Sequence, residues 1–184
     1  MGLLTIIKKQ KQKDNEIRIL TLGLDNAGKT TIIKQMLGED TEAISPTMGF
    51  AINTLNYANY TLNFWDVGGQ QSLRTFWGNY FDKTDLVMWV IDGLSIERLN
   101  ESYQELRQKV ILQDRLFGIY LIVVINKIDL IKQEDWQLLK QRITNELNLN
   151  QQIPEKEKWK VQLVSGKSGY GINEILDWII SREY

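Results

Sequence analysis

The segment Gly23-Leu24-Asp25-Asn26-Ala27-Gly28-Lys29-Thr30 has the spacing G-x-x-x-x-G-K-[ST]. Glycines at its ends let successive backbone N–H groups turn inward around an anion, and a helix that follows adds the positive end of its dipole. Lys29 can place an ammonium between the β- and γ-phosphates of a nucleotide, and the Thr30 hydroxyl can ligate Mg²⁺. Thr31 extends the motif. Asp25 stands out, because a carboxylate aimed into a phosphate cradle would repel the ligand. It is expected to point away, toward solvent or a neighbouring loop.

A second group is Trp65-Asp66-Val67-Gly68-Gly69-Gln70. An Asp at the end of a strand beside such a loop can hold Mg²⁺, and Gly69 lets a backbone N–H approach a γ-phosphate. Gln70 both donates and accepts hydrogen bonds, so it can orient a water for in-line attack. Thr47, in Ser45-Pro46-Thr47-Met48-Gly49, can add a hydroxyl to the metal and an N–H to the γ-phosphate. Thr30, Thr47 and Asp66 are thus the candidate metal ligands, and Lys29 and Gln70 the candidate catalytic residues. A third group, Asn126-Lys127-Ile128-Asp129, follows an apolar run. The Asp129 carboxylate can accept from both N1–H and N2–H₂ of guanine, a donor pair that adenine lacks. Lys127 can lay its stem along the base, and Asn126 can tie loops together. Ser165-Gly166-Lys167 can offer a backbone N–H to guanine O6, although alone it reads as a plain turn.

Composition narrows the chemistry. The chain has 184 residues, 22 Lys+Arg against 23 Asp+Glu, no His and no Cys. The two zeros exclude imidazole bases, thiol nucleophiles, disulfides and Cys-based zinc sites. A net charge of −1 gives no push toward nucleic acid. Catalysis must use carboxylates, amides, hydroxyls, Lys/Arg, backbone N–H groups and a hard metal. No apolar run approaches the ~20 residues of a membrane-spanning helix. The charges of Met1–Ile7 follow its apolar stretch, the wrong order for a signal peptide. The chain reads as intracellular and cytoplasmic.

The elements that must position these groups alternate. Strands are expected at Ile17–Leu22, Phe50–Leu55, Thr61–Trp65, Leu86–Ile91, Ile119–Ile125 and Trp159–Val164, and helices at Lys29–Leu37, Ile96–Gln113, Glu134–Leu147 and Ile172–Ser181. Asn56–Tyr60 leaves no room for a helix and reads as a hairpin. The expected fold is α/β: about six strands in a mostly parallel sheet with one antiparallel strand, flanked by helices. In such sheets ligands bind beyond the carboxyl ends of the strands, where the phosphate loop, the Asp66 group, the Asp129 group and the Ser165 loop fall; the Thr47 loop lies between the first helix and the next strand.

Taken together these residues resemble the small GTPases, and among them the Arf/Arl family, over nearly the whole chain. The marks are Gly23–Thr31, Ser45–Phe50, Trp65–Gln70, Trp77-Gly78-Asn79-Tyr80-Phe81 and Val90-Ile91-Asp92. The opening Met1–Ile6 and the stretch from Gly38 to Thr47 point to one Arf-like branch. Two positions depart from the family pattern: Ile128 stands where Gln is usual, and Gly166 where Ala is usual. Residues 131–157 match nothing. The resemblance implies a P-loop GTPase fold, GTP/GDP and Mg²⁺ as ligands, slow intrinsic hydrolysis, and switch loops at Glu39–Phe50 and Gly68–Phe81 that reorder with the γ-phosphate while the hairpin between them slides. It implies GTP-state effectors that dock on Phe50, Trp65, Trp77 and Tyr80, an exchange factor, and an activating protein that supplies an arginine, since Arg74 is not expected to act as a finger. It also implies lipid-cargo carriers and tubulin-folding cofactors as partners, and cytoskeletal or ciliary association.

Residues 1–15 are expected to form an amphipathic arm and 16–184 the GTPase domain. Ile6 stands where a myristoylation motif wants Ser or Thr, so Gly2 is expected to stay unacylated. Leu3, Leu4, Ile6 and Ile7, followed by Lys8, Lys9, Lys11 and Lys13, could touch an anionic membrane weakly, but packing on a partner or on the domain itself is favoured. Two other classes stay open. A P-loop ATPase or small-molecule kinase is disfavoured by Asp129. A nucleotide-occupied scaffold with negligible turnover is not demanded by any residue.

Overall fold

The computed structural model describes residues 2–3, 5–6, 15–113 and 116–184. Six strands form one sheet: β1 Glu16–Gly23, β2 Phe50–Tyr57, β3 Tyr60–Val67, β4 Leu86–Asp92, β5 Tyr120–Asn126 and β6 Trp159–Leu163. Their order is β2-β3-β1-β4-β5-β6, with β2 antiparallel to β3 and every other pair parallel. The α/β architecture expected from the motif spacing is the one observed. The central strands read as continuous apolar runs because both faces are covered: β5 is buried at every residue.

Two apolar layers sandwich the sheet. On one face lie α1 (Lys29–Leu37) and α5 (Ile172–Ile180), through Ile32, Ile33, Met36, Ile175 and Ile179. On the other lie α2 (Leu99–Leu106), α3 (Trp136–Leu147) and the short α4 (Leu149–Gln152), through Leu106, Ile143 and Leu149. The edge hairpin takes part in both. Leu62 and Phe64 of β3 point into the first layer, and Val67 into the second, with Trp65 packed at its margin. Its register against β1 pairs Ile17 with Leu62 and Ile19 with Phe64.

Two stretches differ from expectation. The long helix over Ile96–Gln113 is three pieces: a 3₁₀ turn at Ile96–Arg98, α2, and a π turn at Arg107–Ile111. The buried positions Leu99, Ser102, Leu106 and Val110 drift around a regular helix, and the wider last turn keeps Val110 inward. Between β3 and β4 the connection is a 3₁₀ segment, Gln71–Tyr80. Arg74 and Trp77, three apart, are its buried residues, which is the 3₁₀ repeat. Of the arm, a single turn is described: the N–H groups of Thr5 and Ile6 donate to Gly2 O, and Leu3 and Ile6 are exposed. Leu4, Ile7 and the four lysines lie outside the described residues. Among those described, no helix is long and apolar enough to cross a membrane.

Candidate functional site

The loop from Gly23 to Thr30 links β1 to α1 and opens into a cleft of about 410 Å³, walled on its far side by Ile44–Thr47 and by Gly68, Gly69 and Gln70. Gly28 caps α1 at φ 94°, a left-handed conformation, and a Cβ there would run into the Asn126 amide. Asn126 uses that closeness. Its Nδ2 donates to Ala27 O at 3.0 Å and its Oδ1 accepts from Gly166 N–H at 2.9 Å. One buried side chain therefore fastens the phosphate loop to the last loop.

Lys29 is buried, and its ammonium donates to Gly23 O (2.9 Å) and Leu24 O (2.7 Å) of its own loop. Burial pushes its pKa down to about 8, against the pull of the Asp66 carboxylate. Thr30, Thr47 and Asp66, from three separate segments, converge: Thr30 Oγ1 donates to Asp66 Oδ2 at 2.6 Å and lies 2.8 Å from Thr47 Oγ1. Thr47 Oγ1 is 3.3 Å from the same carboxylate oxygen. The other oxygen, Asp66 Oδ1, is buried with no hydrogen-bond partner, and burial pushes the Asp66 pKa up. An orphaned carboxylate oxygen beside two hydroxyls is an oxygen donor set that fits a hard cation such as Mg²⁺. Among the described residues no cluster of three or more carboxylates could form an all-protein cage. This set instead suits a metal that shares its shell with a ligand's phosphates.

Gly69 sits against the loop. The Asp25 N–H donates to Gly69 O at 3.1 Å, and a Cβ on Gly69 would lie within 2.5 Å of Lys29 Nζ. Gln70 follows, half-buried at the cleft lip. Asp25 points away from the cradle, as charge repulsion requires: its carboxylate meets Arg98 Nη2 at 2.9 Å and Arg74 Nη2 at 3.2 Å. Arg74 is buried, with its guanidinium engaged by Gly69 O, Asp25, Glu101 and Glu105, which leaves it no reach into the cleft.

On the base side, Lys127 holds a left-handed backbone (φ 67°), and its ammonium bridges Asn26 O and Asp92 Oδ2, both at 2.8 Å. Ser165 Oγ donates to Asp129 Oδ1 at 2.7 Å and so orients the exposed carboxylate. Ile128 is buried, its N–H donating to Val164 O, so this side chain faces the core and not the base. Gly166 packs against Thr31 and Ile32, and Lys167 is exposed.

Phe50, Trp65 and Tyr80 meet on the surface where the Glu39–Phe50 and Gly68–Phe81 segments approach, with Phe50 and Trp65 stacked at 5.6 Å and both within 6.2 Å of Tyr80. Trp77 does not join them. Expected on this surface, it is fully buried, its indole N–H donating to Gly68 O at 3.1 Å and its ring edge-on to Trp89. The 3₁₀ repeat turns position 77 to the core. Reading by spacing alone also passed over Asp92 as the anchor of Lys127, and Arg74 and Arg98 as the partners of Asp25.

A phosphate loop between strand and helix, a metal-type oxygen set, and Asp129 held by Ser165 at adjacent strand ends make up the layout of a P-loop GTPase. The chain belongs to the ADP-ribosylation factor family, whose model matches residues 3–183, and as a member it is a GTP hydrolase. It is similar to ADP-ribosylation factor-like protein 2 of Dictyostelium discoideum, 45% identical over 98% of this chain and 94% of that protein. The protein of the same name in Drosophila melanogaster is 46% identical over 98% and 95%. Among solved structures it resembles the Arl6 BBS3 small GTPase from Trypanosoma brucei with bound nucleotide analogue GppNp, at TM-score 0.73 and 25% identity, covering 89% of this chain and 95% of that one.

Proposed function

We propose that this chain is a GDP/GTP switch of the Arf-like protein 2 type, carrying Mg²⁺ with its nucleotide. The observation that supports it best is the convergence of Thr30, Thr47 and Asp66 with Lys29 and Gly69 around one cleft. Both switch loops reach the place a γ-phosphate would take, so its presence or loss would be felt by both. When bound, Mg²⁺ would be held by Thr30, Thr47 and Asp66 and would offset phosphate charge. Lys29 and the loop N–H groups bind and orient the phosphates. Gly69 offers its N–H to the γ-phosphate, and Gln70 holds the attacking water and its proton in line. Asp129 selects guanine, Lys127 covers the base, and Asn126 and the Ser165–Lys167 loop brace it.

Among the described residues no arginine lines the cleft, so turnover is slow until an activating protein supplies one, and an exchange factor reloads the site. Phe50, Trp65 and Tyr80 are the proposed effector surface, read in the GTP state in the cytoplasm by lipid-cargo carriers or tubulin-folding cofactors. The direct test is to denature the purified protein and identify the nucleotide released. Guanine nucleotide is expected, and adenine nucleotide would overturn the role of Asp129. Gln70→Leu is expected to keep nucleotide affinity and lose stimulated hydrolysis; unchanged turnover would remove Gln70 from the mechanism.

A further inference from the structure

The carboxylate of Asp25 lies in a loop built for phosphate, where its charge disfavours the ligand. The structure surrounds it with cations: Arg98 donates to its carboxylate at 2.9 Å and to its backbone oxygen at 3.0 Å, and Arg74 to the carboxylate at 3.2 Å. Arg74 also reaches back along its own segment. Its Nε donates to Gly69 O at 2.8 Å, while the Asp25 N–H donates to that same oxygen at 3.1 Å. The peptide joining Gly69 to Gln70 is thus held at its oxygen by two donors. A peptide unit is planar, so fixing its oxygen between two donors fixes the direction in which the Gln70 Cα leaves it. Arg74 Nη1 donates to Glu101 at 2.8 Å and to Glu105 at 3.4 Å, both on α2. Arg98 pairs with Glu101 as well.

We propose that Asp25 and Arg74 form a latch that positions Gln70 for hydrolysis, by clamping the Gly69 carbonyl between the phosphate loop and the rigid helix α2. Both are positioning residues, since neither touches the reacting atoms. The latch explains an acidic residue inside an anion-binding loop: its carboxylate is there for Arg74 and Arg98. It also explains why position 74 is arginine. A planar guanidinium can serve a carbonyl and three carboxylates at once in fixed directions, whereas an ammonium is a single point of charge. The proposal rests on the reading of Gln70 as the residue that orients water.

The test uses the full chain as wild type, Gln70→Leu, Arg74→Lys, Asp25→Ala and the double variant Arg74→Lys/Asp25→Ala. Each is loaded with GTP for single-turnover hydrolysis. Affinities for GDP and a non-hydrolysable GTP analogue, and melting temperatures, are measured in parallel. Misplacing the residue that holds the water is expected to slow hydrolysis about tenfold in each single variant, with GDP affinity held within about threefold. Because the two act as one unit, the double variant is expected to be no slower than the slower single. Wild-type rates in both single variants would overturn the latch. So would additive losses, or hydrolysis that falls only in step with GDP affinity and melting temperature, which is what a merely structural role gives. If Arg74→Lys does not fold, Asp25→Ala decides alone, since its side chain is 45% exposed and little packing is lost. Failure of the underlying reading looks different: wild type that does not hydrolyse GTP, or Gln70→Leu that does so at the wild-type rate.

Discussion

The two ends of the nucleotide cleft are built differently. The base end is a set of mutual locks on strand ends: Asn126 to Ala27 and Gly166, Ser165 to Asp129, Lys127 to Asp92 and Asn26. Its loops leave β5 and β6, deep in or beside the covered part of the sheet. The γ-phosphate end hangs on the edge hairpin and a 3₁₀ segment, and it leaves Met48, Phe50, Ile52 and Phe76 exposed. Few buried contacts and exposed backbone are the marks of a region that opens at low cost. Affinity for the nucleotide should therefore reside in the first end, and sensitivity to the third phosphate in the second.

Four measurements press on that contrast. The largest effect is expected from Trp77→Ala, which removes the largest core side chain of the Gly68–Phe81 segment; burial of a Trp this complete implies a loss of about 3–5 kcal/mol in unfolding free energy by denaturant titration. A loss below about 1 kcal/mol would mean that the 3₁₀ segment is not part of the folded core. Next is Asp129→Ala. Losing two charge-assisted hydrogen bonds should weaken GDP and the GTP analogue alike, by about a hundredfold in equilibrium binding. If only the GTP analogue weakens, the division of labour is wrong.

Gly69→Ala should act the opposite way. Its methyl would press on Gly23 O and Lys29 Nζ, so binding of the GTP analogue should fall about tenfold while GDP binding holds. Equal losses would place Gly69 in the affinity half. The smallest effect is acid sensitivity. Arg98, then Arg74, hold the Glu101 carboxyl below its ordinary 4.5, and Arg98 chiefly holds Asp25 below 3.8. Folded values lowered in this way contribute stability that is complete above the ordinary range and is lost as pH falls through the lowered values. Melting scans between pH 5 and 3 should show a drop that Arg98→Ala diminishes, modest because the carboxylates are partly solvated. An identical acid profile in Arg98→Ala would remove this contribution.

Much of this was legible from the sequence because it is local. The phosphate loop, the Asp129 element and the hairpin are contiguous motifs with strand or helix patterns on their flanks, and the six strands fall where the apolar runs are. What spacing did not show depends on distant partners. Arg74 meets Asp25 across 49 positions and Lys127 meets Asp92 across 35. Neither pair leaves a periodic trace. Trp77 was misplaced for a related reason: only the 3₁₀ repeat, a conformation set by the packing of Arg74 and Trp77, tells which way position 77 faces. The helix over Ile96–Gln113 was right in place but not in kind, because its winding answers to the core it packs on.

The register of the edge hairpin sets a rule for its movement. Side chains of β3 alternate between two apolar layers, Leu62 and Phe64 to one, Val67 to the other. A displacement of one residue along β1 would turn each of them to the wrong side, whereas a displacement of two, about 6.6 Å, restores the alternation with new neighbours. The hairpin can therefore come to rest only at even-numbered stations. A surface that read the position of the hairpin would therefore meet whole two-residue steps and not a gradient.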